Sequence, residues 1–318
     1  MYILPRAVSS VGAALAALPL VLGAPVTPGL APQAAAAQDQ TTLASPQPLP
    51  TAQINGVVWD QTIVGNVVYV VGEFSKARPA GSPKEQNESP RSNAMAYDIT
   101  TGELLDWAPQ LNAAANAIEA SPDGSTLYIG GKFTSVNGQP ASRLAAVDTA
   151  GQHKPLNGGT PGGAVSPNDT VRDLELSPDG STLYMAGLFT QVNDLERLRA
   201  AAVDLKTQQV TNFAPQVDDD SEVRAITVAA DGSAVAIGGS FETVEGSSDA
   251  YGMAILEKDG ALRQTNLTTD IKNAGSMSGI MSLKSDSKGL YGTAYSRQGR
   301  FEGMFRADWS TGGINLMA

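Results

Sequence analysis

Few side chains in this sequence have the type and spacing that chemistry needs. The single histidine, His153, stands in a Gly-rich stretch from Gly151 to Thr170 with no acid or nucleophile beside it. An imidazole without a partner to orient it is not expected to act as a general acid or base. There is no cysteine, so disulfides and thiolate metal sites are ruled out, and with one histidine zinc chemistry is effectively excluded. Asp218, Asp219 and Asp220 are adjacent and offer the oxygen ligands Ca²⁺ prefers. A calcium loop, however, spaces about six to eight oxygens around the ion, and three neighbouring aspartates read more simply as a solvated acidic turn. Asp98, Asp148 and Asp204 recur at one place in a repeating pattern, which points to turn capping. Arg143 and Arg199 precede two of them by five residues and are expected to bond within the same unit. No catalytic residue, cofactor or metal is assigned. Carboxylate chemistry stays open, because a pair of acids about 5–10 Å apart in one pocket would suffice for glycoside hydrolysis.

Side chains need elements to position them, and here the elements form a repeat. A glycine-ended strand followed by an aromatic occurs as Val70-Val71-Gly72-Glu73-Phe74, Ile129-Gly130-Gly131-Lys132-Phe133, Met185-Ala186-Gly187-Leu188-Phe189 and Ile237-Gly238-Gly239-Ser240-Phe241. A worn copy is Tyr291-Gly292-Thr293-Ala294-Tyr295, so the aromatic returns every 52 to 59 residues. Ahead of the signature runs an alternating stretch such as Val171-Arg172-Asp173-Leu174-Glu175-Leu176, closed by Asp123-Gly124, Asp179-Gly180 or Asp231-Gly232. Asp-Gly between alternating runs marks a hairpin, because glycine accepts positive φ. A second turn follows at Val136-Asn137-Gly138 and Val192-Asn193-Asp194, then a third strand at 94–98, 144–148 and 201–204. A weaker fourth strand is expected at 105–110 and 211–216.

Four short antiparallel strands per unit predict an all-β fold, a β-propeller of four-stranded blades at about 55–110, 115–165, 170–216, 222–266 and 278–318. Stacking such units hides both faces of every sheet. A β-sandwich is the competing arrangement, but it has no need of a signature at this period. Residues 41–47 read like fourth-strand text and would serve as a closing strand. The other reading, and the favoured one, makes the five units part of a six- or seven-bladed ring, since 314–318 would otherwise be surplus.

The stretch Ile129-Gly130-Gly131-Lys132-Phe133-Thr134-Ser135-Val136-Asn137-Gly138, followed by Arg143-Leu144-Ala145-Ala146-Val147-Asp148, resembles the delta-60 type β-propeller repeat of secreted and surface proteins of bacteria. The resemblance spans about residues 41–318. It implies the propeller and an extracellular setting, and it implies no site, because that family has no agreed catalytic residues. The Asp98-Ile99-Thr100-Thr101-Gly102 run leading to Trp107 is similar to a stretch of quinoprotein propellers in which the tryptophan docks neighbouring blades. One good copy without quinone-site residues carries no expectation of that activity.

Residues 1–37 have the order of a signal peptide: Arg6, an apolar run from Val11 to Leu22, then Ala34-Ala35-Ala36-Ala37. An uncleaved anchor is the rival reading, but the apolar run is short of the roughly 20 residues that span a bilayer. The expected protein is therefore secreted or in the cell envelope, with 38–318 as the propeller domain and no membrane span after cleavage. Its net charge of −11 repels polyanions, so no nucleic-acid partner is expected.

In such a blade the tight Asp-Gly turns share one face, and the connections of variable length share the other. Variable connections run through 76–93, 151–170, 217–222 and 265–278, and rigid scaffolds present ligand sites on loops of this kind. The candidate ligand-binding residues there are Lys76, Arg78, Arg91, His153, Asp218, Asp219 and Asp220. The expected role is a non-catalytic module that binds a glycan or protein outside the cell. A secreted polysaccharide hydrolase or lyase using carboxylates on that face is the alternative, and an adhesin module of a longer chain is a third reading. Acids from different blades converging on a pocket would favour the enzyme.

Overall fold

The computed structural model describes residues 49–157, 164–218, 221–263, 278–296, 302–309 and 314–317. The expected leader at 1–37, the expected closing strand at 41–47 and the two aspartates Asp219 and Asp220 lie outside the described residues. Among the described residues the regular structure is β throughout, apart from one 3-10 turn at Ser248–Ala250.

Among the described residues the longer strands form five antiparallel sheets in chain order, beside three small sheets of two- and three-residue strands. Sheet 1 is Val57–Val64, Val67–Glu73 and Ala94–Asp98. Sheet 2 is Ala115–Ala120, Thr126–Gly131, Leu144–Asp148 and His153–Lys154. Sheet 3 follows as Val171–Leu176, Thr182–Gly187, Ala200–Asp204 and Gln209–Val210. Sheet 4 is Val223–Val228, Val235–Gly239 and Met253–Leu256. Sheet 5 is Ser278–Asp286, Gly289–Ser296, Gly303–Ala307 and Ile314–Met317. The first strand of each sheet, its lead strand, lies beside the lead strand of the next.

The turns follow their sequences. Gly124, Gly180 and Gly232 take φ of 69°, 68° and 68°, and Asp179 accepts from Ser177 Oγ at 2.6 Å and Ser181 N at 3.1 Å. These donors hold the Asp179 carboxyl down at about 2. Asn137 and Gly138, with φ of 51° and 77°, close a small hairpin of Ser135–Val136 and Gln139–Pro140, as paired positive-φ residues do in a type I′ turn.

The fourth strand departs from expectation. It is the pair Gln209–Val210 in sheet 3 and His153–Lys154 in sheet 2, while in sheet 1 it shrinks to one bridge between Tyr97 and Leu104. The expected 105–110 and 211–216 segments leave the sheet. Pro109 and Pro215 have no N–H for a ladder, and the aromatics Trp107 and Phe213 are 6% and 1% exposed in the space between sheets. Trp107 packs edge-on to Tyr69, and its Nε1 donates to Asp148 O at 3.0 Å, joining sheets 1 and 2.

One apolar cluster fills each junction between successive sheets. The signature residues Phe133, Phe189 and Phe241 are fully buried in three of them. Each buried aromatic contributes about 2–3 kcal/mol by removal from water. The small core strands rich in alanine and valine fit this close stacking. A Cβ on Gly130, for instance, would meet Val171 Cγ1 of the next sheet at 2.5 Å.

The second signature glycine has a different duty. Every lead strand carries a β-bulge near its start, at Val58/Asp60, Ala115/Ala117, Val171/Asp173, Val223/Ala225 and Ile280/Ser282. Gly72, Gly131, Gly187 and Gly239 pair with the residue just before the bulge in the first four sheets. A Cβ on Gly72, Gly187 or Gly239 would meet, at 2.0–2.1 Å, the carbonyl oxygen of Val57, Thr170 or Glu222, at or just before the start of the lead strand. Glycine is therefore what lets the two backbones approach where the bulge forms.

Candidate functional site

A bulge adds one residue to a strand and re-aims its side chain. The five added residues are Trp59, Asn116, Arg172, Arg224 and Met281. All five line a single cavity of about 670 Å³, together with Glu222 and Tyr295. Each sheet thus delivers one side chain from an equivalent position to a shared space. The indole of Trp59 and the thioether of Met281 stay open, at 56% and 50% exposure.

The polar groups of the cavity form a chain. Glu222 Oε1 lies 2.6 Å from Arg172 Nε, and Glu222 Oε2 lies 3.1 Å from Arg224 Nε. The Arg224 contact is a hydrogen bond, whereas the Arg172 contact is an ion pair without hydrogen-bond geometry. Arg224 also donates to Tyr295 Oη at 3.2 Å and sits 5.4 Å from the centre of that ring. Asn116 Nδ2 donates to Val171 O at 2.8 Å. Arg224 is held on several sides, and Arg172 has Glu222 as its one ion-pair or hydrogen-bond partner among the described residues.

Further along the same lead strands stands a group of acids around one lysine. Asp60 accepts from its neighbour Gln61 N and from Ile118 N of the next sheet, both at 2.8 Å. Asp173 does the same with Leu174 N and Ile226 N at 2.9 Å. These two acids tie sheet 1 to sheet 2 and sheet 3 to sheet 4. Glu175 is paired with Lys284 of sheet 5 at 2.9 Å. Glu119 has no bonded partner among the described residues; burial first, then the charge of Glu175, push its carboxyl up to about 7. Burial likewise drives Asp173 to about 7 against the pull of Lys284, and it raises Asp60. Burial pulls the Lys284 ammonium down, but Glu175, Asp173 and Glu119 outweigh it and hold the lysine above its usual range. The side chain of Lys284 remains 67% exposed, so solvent screens its charge.

None of the described candidates chosen from the variable connections lines the bulge-residue cavity. Lys76 pairs with Glu88 at 2.8 Å, and Arg78 bonds Ser82 O and the Gln53 side chain. Arg91 donates to Pro90 O and Leu105 O at 2.8 and 2.9 Å. These three brace the insertion of sheet 1, where Lys76–Arg78 pairs with Gln53–Ile54 and Ser89–Pro90. His153 is not in a loop: it pairs with Val147 in the outer strand of sheet 2, its Nδ1 is buried without a bond, and burial lowers its pKa. Asp218 accepts from Glu242 N at 2.6 Å and Thr243 N at 2.8 Å. Asn55, Asn112 and Asn168 make the same two-donor bond in sheets 1 to 3, so Asp218 holds a structural position of the repeat. Asp98, Asp148 and Asp204 accept backbone N–H groups of their own turns, and Arg143 and Arg199 donate to the carbonyls of Lys132 and Leu188. Among the described residues no group of three or more His, Asp or Glu side chains is arranged to hold a metal ion, and no helix is long and apolar enough to cross a membrane.

No family model matches this chain, and no curated protein matches it.

Proposed function

We propose that the chain is a secreted or surface β-propeller of the delta-60 type, acting as a non-catalytic binding module whose ligand sits in the cavity built by the five bulges. The observation that carries the reading is that delivery: five equivalent positions hold four kinds of side chain, and they meet in one space. A purely structural bulge would have no reason to collect an open indole and two guanidiniums around one cavity. The five-sheet order, one core per junction and neighbouring lead strands support the propeller. Val57, Val58 and Ile63 on the first lead strand and Met304 on sheet 5 are 43–56% exposed, which supports a ring with room for further repeats.

The convergence of acids on the lead strands favours the alternative, a polysaccharide hydrolase or lyase. Against it, Asp60 and Asp173 are committed to backbone N–H groups and Glu175 to Lys284, leaving Glu119 as the one free carboxyl of the group where hydrolysis needs two. The test is a glycan array and a protein pull-down with the full chain and a Trp59→Ala/Arg172→Ala variant whose β-signal by circular dichroism is unchanged. Ligand captured by the wild type and lost by the variant supports the cavity; capture that survives in the variant rejects it. Turnover of a captured polysaccharide that Glu119→Gln abolishes would replace the binding module with the enzyme.

A further inference from the structure

We infer that the ligand of the bulge-residue cavity is an acidic oligosaccharide, with a uronate carboxylate on Arg172 and a sugar ring on Trp59. The inference rests on the cavity being the ligand site and adds the chemical class. Two guanidiniums line the cavity against the single carboxylate of Glu222, so its walls carry one net positive charge in a chain of net charge −11. That local reversal of sign is a means of drawing in an anion. The two arginines are not equivalent. Arg224 is held by Glu222, the Tyr295 hydroxyl and the Tyr295 ring, whereas Arg172 has the ion pair of its Nε with Glu222 and makes no hydrogen bond among the described residues. A planar guanidinium with open donors suits a carboxylate, which it engages through two parallel bonds. Glu222 fixes one side of Arg172 and leaves its terminal nitrogens for the ligand.

The rest of the wall selects a sugar over a small inorganic anion. The open face of Trp59 is a flat apolar surface of the kind that C–H-rich sugar faces cover, and Met281 extends it. Asn116 spends its Nδ2 on Val171 O and has its carbonyl oxygen to accept a hydroxyl. A cavity of about 670 Å³ holds a short oligosaccharide end and not a single ion. Asp60, Asp173 and Glu119 do not line it, so the acids further along the strands do not face the carboxylate at contact distance.

The experiment is calorimetric titration of the full chain with oligogalacturonate, oligomannuronate and hyaluronan oligosaccharides, each beside its carboxyl-reduced neutral form. At least one acidic member binds about tenfold or more tighter than its reduced form, and the preference shrinks in high salt. Arg172→Gln abolishes the preference while leaving the residual affinity for the reduced form, and Trp59→Ala weakens both forms. Equal binding of acidic and reduced forms, both lost in Trp59→Ala, overturns the acidic class and leaves the cavity as the site. An acidic preference that survives Arg172→Gln overturns the assignment to Arg172. Binding untouched by either variant overturns the cavity itself. If no member binds, the saccharide proposal falls, and capture of a protein ligand in the pull-down would stand apart from it.

Discussion

Glu119 shows how much of this protein's electrostatics is set by place and how little by residue type. Its carboxyl titrates at about 7 when folded, against about 4.3 in an unfolded chain. The folded state therefore binds a proton more tightly than the unfolded one, and the stability this group confers falls as pH rises from about 4.3 to 7. Glu119→Gln removes that dependence. The difference between the two urea-unfolding curves is expected near zero at pH 4 and about 1–2 kcal/mol in favour of the variant at pH 8, the full linkage value being reduced because the side chain reaches solvent. A difference that does not change with pH would show that Glu119 is not held in this way. The charges themselves were plain in the sequence, as in Val171-Arg172-Asp173-Leu174-Glu175-Leu176. What could not be read was that Glu119, Glu175 and Lys284 meet, since that depends on how three separate sheets lean together. The loop candidates show the reverse limit: that Lys76, Arg78, Arg91 and Asp218 bond to backbone and side chains within the scaffold could not be read from their sequence positions.

At the scale of the strand and its turn, the repeated glycine was legible and its purpose was not. A β-bulge leaves the alternation of a short strand nearly intact in sequence, so the extra residue at Trp59, Asn116, Arg172, Arg224 or Met281 gives no local signal. Its trace is on the partner strand, where glycine recurs. Gly239→Ala would put a Cβ 2.0 Å from Glu222 O and force the lead strand of sheet 4 outward. The expected cost is about 2–4 kcal/mol in urea unfolding, as for other overpacked sites. Gly65→Ala, at φ +59° with nothing within 4 Å, is the control and should cost about 1 kcal/mol from backbone conformation alone. If the two variants lose the same amount, the close approach at the bulge is not what requires glycine. The fourth strand was misplaced for a related reason. An aromatic followed by Ala-Pro-Gln has strand-like composition, but proline breaks the ladder and the aromatic does more as a wedge between sheets.

For the whole molecule, five sheets in chain order with a separate core at each junction make stability a sum over neighbours. Sheet order, period and core aromatics were all legible, because each is written several times over. Contacts that skip a neighbour were not, and Lys284 to Glu175 is one: it joins sheet 5 to sheet 3 past sheet 4. Lys284→Met leaves Glu175, Glu119 and Asp173 facing one another without a cation. Hydrogen exchange should then quicken in 289–296 and 303–307 at pH 8, and less so at pH 5.5, where the acids that titrate near 7 are neutral. Equal exchange in variant and wild type at both values would show that the pair contributes nothing to holding sheet 5. The bulges have a consequence for how such a protein can change. Each added residue sits outside the ladder, so replacing it leaves pairing, turns and cores untouched. The five positions behave like the dials of a combination lock, each free to be reset while the casing stays the same. A library restricted to residues 59, 116, 172, 224 and 281 should yield folded proteins that recognise different molecules.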